Sequence, residues 1–443
     1  MSTLAEIFDI SISTTAESLE LEGFGKPLLA VSEVPAGFTD RVREYGSAAE
    51  MLTDGFTTSH DAYKMASILK AQDPCPPTFL VGRRANKRAQ TVTFTVSAQA
   101  ALEGQTTKLT VNGTELSRTA PAASSVSAEA TAWAALVDAL ALVTCTGSGA
   151  DFTVVTTAAG QLTEFSGFDH ALLSCEDETA DPGIVADLAA MAAEDDSFYQ
   201  VLYDACGKAE WIAAGAWCET NRRRQDHAFS DSNILDASNT TTNVWSATAA
   251  LSYAYSSPGF DPSIGTHLAT ARAGKCLPYD PGSETWSLKT LKSVASTEYR
   301  TGQRAAMKAK KGWFYTTIAG VGNTMSGQMG DTGFGEWSDV VRFMDWLRQD
   351  LQASFYASVK GFGPKMPFTD AGIAGVELAV RSSIGRGIEV GGISNDEAPT
   401  YVFPKASSFS ATQKQTRNLS GIKWGAKIAG AIHTGGATGT LTP

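Results

Sequence analysis

Charge is scarce in this sequence. Asp, Glu, Lys and Arg make up only 19% of its 443 residues, below the quarter usual for a globular protein. The 35 Lys and Arg are outnumbered by 47 Asp and Glu, giving a formal charge of −12. That balance excludes a phosphate-binding surface spread over the molecule, so nucleic acid is not an expected partner. Long apolar runs are missing as well. The longest, residues 128–143, is interrupted by Glu129 and Asp138 and falls short of the roughly 18 residues needed to cross a bilayer, so no direct membrane insertion is expected. Residues 1–6 hold no basic residue and lead to no apolar run of signal length, so synthesis in a cytoplasm is expected.

Motifs that carry chemistry are equally sparse. Cys75, Cys145, Cys175, Cys206, Cys218 and Cys276 lie far apart, with no C-x-x-C pair and no histidine at ligand spacing, which argues against structural zinc. They read as free thiols, with Cys75, set among prolines in a surface turn, as the most exposed. His60, His170, His227, His267 and His433 form no H-E-x-x-H, no serine sits in a G-x-S-x-G elbow, and no carboxylates cluster as an acid/base pair. Gly322–Met329 has the glycine spacing of a phosphate loop, but Gln328 and Met329 stand where Lys and a hydroxyl are required. No catalytic residue, cofactor or metal is therefore expected.

What is present is a 43% apolar chain with 41 glycines, long enough for roughly three domains or one large core with an insertion. Leu4, Ile7, Ile10 and Ile12 alternate with polar residues in a strand-like segment that reads as an arm. LLAVSEV at 28–34, a helix from about Thr58 with Ala62, Tyr63, Ala66 and Leu69 on one face, and TFLV at 78–81 follow. The Thr- and Ala-rich block 90–165 reads as a separable inserted domain of order β-β-α-β. Alternating strand and helix patterns resume after it: Phe198–Tyr203, Ala209–Cys218, Phe314–Ile318, then a helix from about Asp339. That last helix carries an apolar stripe of Val340, Met344, Leu347, Leu351 and Phe355. Trp424, Ile428, Ile432 and Leu441 lie among small residues, too sparse for a core, and read as a second arm.

The expected fold is thus an α/β (α+β) core domain with extended N- and C-terminal strand arms and an inserted β-rich domain. Its boundaries fall at 1–22 for the first arm, 23–89 and 166–420 for the core, 90–165 for the insertion and 421–443 for the second arm. The basic runs Arg83, Arg84, Lys87, Arg88 and Arg222–Arg224 read, in an acidic chain, as a solvated face or a salt-bridging edge. Lys308, Lys310 and Lys311 form a third run suited to an acidic partner surface.

Leu52–Arg84, LTDGFTTSHDAYKMASILKAQDPCPPTFLVGRR, resembles the N-terminal signature of contractile tail sheath subunits of myophages, with its acidic-Gly-aromatic turn, AYK helix and VGRR strand end. ETWSLKTLKSV at 284–294, GWFYTTIAG at 312–320, EWSDVVRFMDWLRQDLQ within 333–352, KMPFTDAGI at 365–373 and the ending AKIAGAIHTGGATGTL at 426–441 are similar to that family in the same order. The resemblance implies a non-enzymatic polymer: rings of subunits stacked around a tail tube, assembled extended and metastable, contracting to drive the tube through a bacterial envelope. It implies baseplate and tail terminator proteins as further partners, the virion as location and the host cytoplasm as assembly site. It also implies that Leu4–Ile12 and Lys423–Leu441 add strands to sheets of neighbouring subunits, and it offers Lys308, Lys310 and Lys311 as a tube contact. A sheath from a phage-derived injection particle and, from another class, a soluble enzyme of unknown chemistry are the alternatives.

Overall fold

PLLAV at 27–31 is apolar at every position and all five side chains are buried, the pattern of a strand covered on both faces. In the computed structural model the described residues are 23–35, 38–84, 91–140, 143–157, 163, 165–177, 183–263, 265–330, 337–436 and 438. The expected arm residues Leu4, Ile7, Ile10, Ile12 and Leu441, and Lys87 and Arg88, lie outside them. From β1 (Pro27–Val31) the chain runs through β2 (Val42–Tyr45), α1 (Ala48–Thr53) and α2 (Asp61–Lys70) to β3 (Phe79–Arg83). The buried face of α2 is Ala62, Met65, Ala66 and Leu69, with Tyr63 only half-buried.

The insertion follows as β4 (Thr91–Val96), β5 (Thr106–Val111), β6 (Thr114–Thr119), α3 (Val126–Asp138), β7 (Val143–Ser148), β8 (Asp151–Thr156), β9 (Phe165–Ser166) and β10 (Leu173–Asp177). Two small sheets, β10-β4-β8-β7 and β6-β5-β9, share one core around Phe94, Trp133 and Phe152. The expected order β-β-α-β was too simple, and the boundary at 165 is corrected. Leu173–Asp177 pairs antiparallel with Val92–Val96, so the unit closes only at residue 177. Its closing strand is short and polar, LSCED, which is why periodicity alone did not mark it.

The core resumes with α4 (Ile184–Glu194), β11 (Gln200–Tyr203), α5 (Lys208–Asn221), β12 (Arg224–Phe229), α6 (Val244–Ala250), β13 (Ser256–Phe260), α7 (Leu268–Cys276), α8 (Thr301–Ala309), β14 (Trp313–Ile318) and β15 (Val321–Ser326). One eight-stranded sheet, ordered β15-β14-β13-β12-β11-β1-β3-β2, collects both halves of the core. Its six inner strands are parallel, while β15 and β2 run antiparallel at the edges. Helices α2 and α7 cover one face with Met65, Leu69 and Leu268. Helices α4 to α6 cover the other with Leu188, Trp211 and Trp245. Gly322–Ser326 belongs to β15, an edge strand, so the phosphate-loop spacing of the sequence falls on extended backbone.

The chain then forms a helical pair, α9 (Ser338–Gly361) and α10 (Asp370–Glu389), and continues through β16 (Thr400–Val402), α11 (Ala411–Gln415) and β17 (Lys423–Gly425). Phe343 and Leu347 of α9 pack on Val380 and Ile384 of α10. The buried face of α9 also includes Val341, Arg342, Asp345 and Asp350, while the expected stripe members Val340, Met344, Leu351 and Phe355 are half-buried. The stripe is displaced because α9 serves two neighbours, the core at its start and α10 along its length. Asp350 holds Arg386 of α10 by two bonds of 3.1 and 2.7 Å.

Candidate assembly interface

The end of the chain is built from a two-stranded ribbon and a strap. Among the described residues strands β16 and β17 pair only with each other, Tyr401 opposite Trp424, so the outer edge of each presents backbone groups with no strand partner among them. One face of the ribbon is fixed: the Arg381 guanidinium of α10 stacks 4.2 Å from the Tyr401 ring. Val402 and Trp424 remain 60% and 40% exposed. The strap begins at Ala426, where Ile428 bridges Ile393, and the Ala429 amide donates to the Gly392 carbonyl at 3.0 Å. It ends with His433 Nε2 2.7 Å from Thr285 Oγ1 and its ring against Trp337.

Of the residues assigned to strand exchange, Trp424 and Ile428 therefore find partners within their own chain. Ile432 is 90% exposed. The lysine run divides more sharply. Lys308 is exposed at the end of α8. Lys310 is buried, and its ammonium donates to the carbonyls of Asn233, Ile234 and Asp236 at 2.8, 2.9 and 2.5 Å. Lys310 is thus removed from any partner surface, because an ammonium that caps three carbonyls replaces its hydration inside the fold. Lys311 is half-buried, with a left-handed φ of 56°.

The basic runs also carry more structure than an edge. Arg84 is fully buried, 3.4 Å from Asp187 and 2.9 Å from Glu210. Arg224 is equally buried and lies 4.0 Å from the Trp286 ring. Next to it Arg272 pairs with Asp226 at 2.8 Å and stacks on Trp313, whose indole N–H donates to the same carboxylate at 2.9 Å. Burial pushes the Asp226 carboxyl up to about 6, against the pull of Arg272 and Arg224. Asp345 of α9 accepts from the Tyr199 and Tyr255 hydroxyls at 2.9 and 2.8 Å, and burial again raises its carboxyl above the ordinary range. Arg342 pairs with Glu284 and donates to the carbonyls of Leu277 and Tyr279 at 2.7 and 2.8 Å. These groups bind the helical pair to the sheet as one body.

Among the described residues no group of three His, Cys, Asp or Glu is placed to hold a metal. The histidines occupy unrelated positions: His60 accepts from the Thr57 amide, His170 lies on Phe168, and His433 ends the strap. Among the described residues the features with something to offer a partner are the ribbon edges and the exposed apolar residues Val402, Trp424 and Ile432.

No known family's sequence profile matches the chain, and no curated protein does. Solved structures do. The contracted helical sheath of the anti-feeding prophage superposes with a TM-score of 0.55 over 99% of both chains, at 10% identity. The contracted sheath complex of an extracellular contractile injection system, PVC, gives 0.54 over 97% of this chain and 95% of that one, at 9% identity. This chain has the contractile sheath fold. A sheath tail protein from Desulfitobacterium hafniense matches at 0.48 over 89% of this chain and 93% of its own, at 13% identity. The sheath fold here holds its parallel sheet at the centre, the insertion between β3 and α4, and the ribbon and strap at the end of the chain.

Proposed function

We propose that the protein is the structural, non-enzymatic subunit of a contractile tail sheath. The observation that carries the reading is the match to a contracted sheath subunit over 99% of the chain. Copies stack as rings around a tail tube, held by their ends. The strand-patterned segment Leu4–Ile12 of one copy adds to an open edge of the β16–β17 ribbon of another, satisfying backbone groups that the ribbon leaves unpaired. Ile432 and Leu441 extend the same linkage from the other end of the chain. Contraction moves rigid bodies between two packings, and its energy lies in contacts between subunits. It needs no nucleotide, since the one phosphate-loop spacing lies on edge strand β15. The sheath assembles in an extended, metastable state, and its contraction drives the tube through a host envelope, with baseplate and terminator proteins at the two ends of a phage tail.

Electron microscopy of the purified protein in negative stain, with sedimentation over a range of salt and concentration, tests the reading. Tubes or stacked rings are expected. A monodisperse monomer under every condition overturns it, and ATP-dependent shortening of an assembled polymer overturns the nucleotide-free mechanism. A second reading, the sheath of a phage-derived injection particle, is favoured by the source of both matches above 0.5. Capsid genes beside this one decide for a phage tail.

A further inference from the structure

Gln200, Arg224 and Arg272 are fully buried, and each carries side-chain nitrogens with no hydrogen-bond partner. Gln200 and Arg224 stand opposite each other in the parallel pair β11–β12, so their side chains share one face of the sheet. Asp226, two residues further along β12, points to the same face. Arg272 reaches it from α7 and donates to Asp226 and to the Ser257 hydroxyl, both at 2.8 Å. The two guanidiniums lie 4.0 and 4.9 Å from the centre of one ring, that of Trp286.

Charge and hydrogen bonding are both out of balance in this cluster. Asp226 pairs with Arg272 through Oδ2 and takes the Trp313 indole N–H on Oδ1, and it makes no ion pair with Arg224. Among the described residues the one polar contact of the Arg224 side chain is Nη2 to the Met329 sulfur at 4.0 Å. Burial first, and then repulsion from Arg272, lowers the Arg224 guanidinium to about 10, so it stays charged at neutral pH. The unpaired donors are Gln200 Nε2, Arg224 Nε and Nη1, and Arg272 Nε and Nη2, against a single unpaired acceptor, Gln200 Oε1. Water would bring hydrogens of its own and needs acceptors that the cluster lacks. An anion accepts without donating, and a buried cation requires a counter-charge. There is room beside Arg272: a Cβ built on Gly327 would lie 3.6 Å from its Nη2 and 3.6 Å from Trp286, ordinary contacts for a methyl-sized group.

We propose that this cluster binds one monatomic anion of chloride size, held by the unpaired N–H groups of Arg224, Arg272 and Gln200. The ion balances the second arginine and gives an acceptor to donors that the sheet, α7 and Trp286 close off from solvent. That closure selects a single-atom ligand taken up as the chain folds, because a phosphate or a carboxylic acid would need more space and an open path. The site lies within one chain and is separate from the assembly surfaces proposed above.

An ion that binds only the folded chain shifts the unfolding equilibrium by mass action, and unfolding opens even a closed site. Urea unfolding of the full-length chain is followed at fixed protein concentration and about pH 7.5, with sodium chloride replacing sodium gluconate from about 0.1 to 200 mM at constant ionic strength. Above the dissociation constant, each tenfold rise in chloride should raise the folded-to-unfolded ratio about tenfold, the mark of one ion, and bromide should act likewise. Gln200→Glu sets a carboxylate against the same donors, so it should be more stable than wild type in gluconate and indifferent to chloride. Arg224→Met removes the unpaired cation and should also lose the chloride dependence. The two variants act by opposite routes, adding a carboxylate and removing a cation, so either one that folds decides. A wild type whose unfolding ignores chloride overturns the proposal. Chloride dependence that persists unchanged in a folded variant places the ion elsewhere and overturns it as well.

Discussion

Arg342 on α9 and Glu284, 58 residues earlier in the chain, face each other as an ion pair with 1% and 0% of their side chains exposed. The same guanidinium caps the carbonyls that end α7 and reaches Phe24, so one side chain fastens the helical pair, the sheet and the entry of the chain. Removing one partner leaves a charge buried without compensation. Arg342→Met is expected to cost about 3–5 kcal/mol in denaturant unfolding. Arg342→Met combined with Glu284→Leu should cost less than Arg342→Met alone. A double variant no better than the single one would show that the carbonyl bonds, rather than the charge balance, dominate.

Two glycines separate packing from backbone freedom. A Cβ on Gly259 in β13 would sit 2.6 Å from the Trp313 ring, whereas one on Gly302 in α8 meets nothing. Gly259→Ala should therefore destabilise by about 1–3 kcal/mol. Gly302→Ala should stabilise by up to about 1 kcal/mol, since Gly weakens a helix relative to Ala. Thermal unfolding of the two variants side by side checks both signs.

Asp226 gives stability a definite pH signature. Its carboxyl is pushed up to about 6 by burial, above its value in the unfolded chain, so the folded state binds the extra proton. The stabilising contribution of that proton is complete below the unfolded pKa and is lost as pH rises through about 6. Asp226→Asn lacks this loss. The stability gap between wild type and variant should narrow as pH is raised from about 4 to 7. A gap that widens would mean that attraction to Arg272 outweighs burial.

The thiols should fall into two groups. Burial pushes Cys145 and Cys276 up to about 12 and raises Cys218 well above its ordinary value, and all three are buried. Alkylation of the folded protein at about pH 8 should spare them, because the thiolate is the reactive form. Denaturant should then expose all six cysteines to the reagent. Peptide mass mapping before and after unfolding reads the difference. Cys75, placed by its prolines in a surface turn, is half-buried, so its labelling should lag behind that of a fully exposed thiol.

Much of the core was legible because its signals are local. PLLAV, TFLV and the AYK helix carry their own periodicity, and the cluster of prolines after α2 marks its end. The buried charges were not. Arg84, Arg224 and Lys310 look in sequence like members of exposed basic runs, and what buries them is a partner distant in sequence: Asp187, Trp286 or the carbonyls at 233–236. A weak signal existed at Arg342, which stands alone among Val340, Val341, Phe343 and Met344. The interface suffered the same limit. Trp424 and Ile428 read as unpartnered because Tyr401 and Ile393, which hold them, lie 23 and 35 positions earlier.

The first and last strands of the insertion are neighbours in one sheet, with Val92 opposite Asp177. Both connections to the core therefore leave from the same end of the unit, and the chain returns close to where it departed. Such a geometry makes the insertion a cassette. A short linker from Arg84 to Gly183 should restore the continuity of the core without residues 91–177, and a different folded domain with adjacent termini should fit the same opening. In the sheath proposed above, such a cassette could be exchanged without altering the eight-stranded sheet or the helical pair.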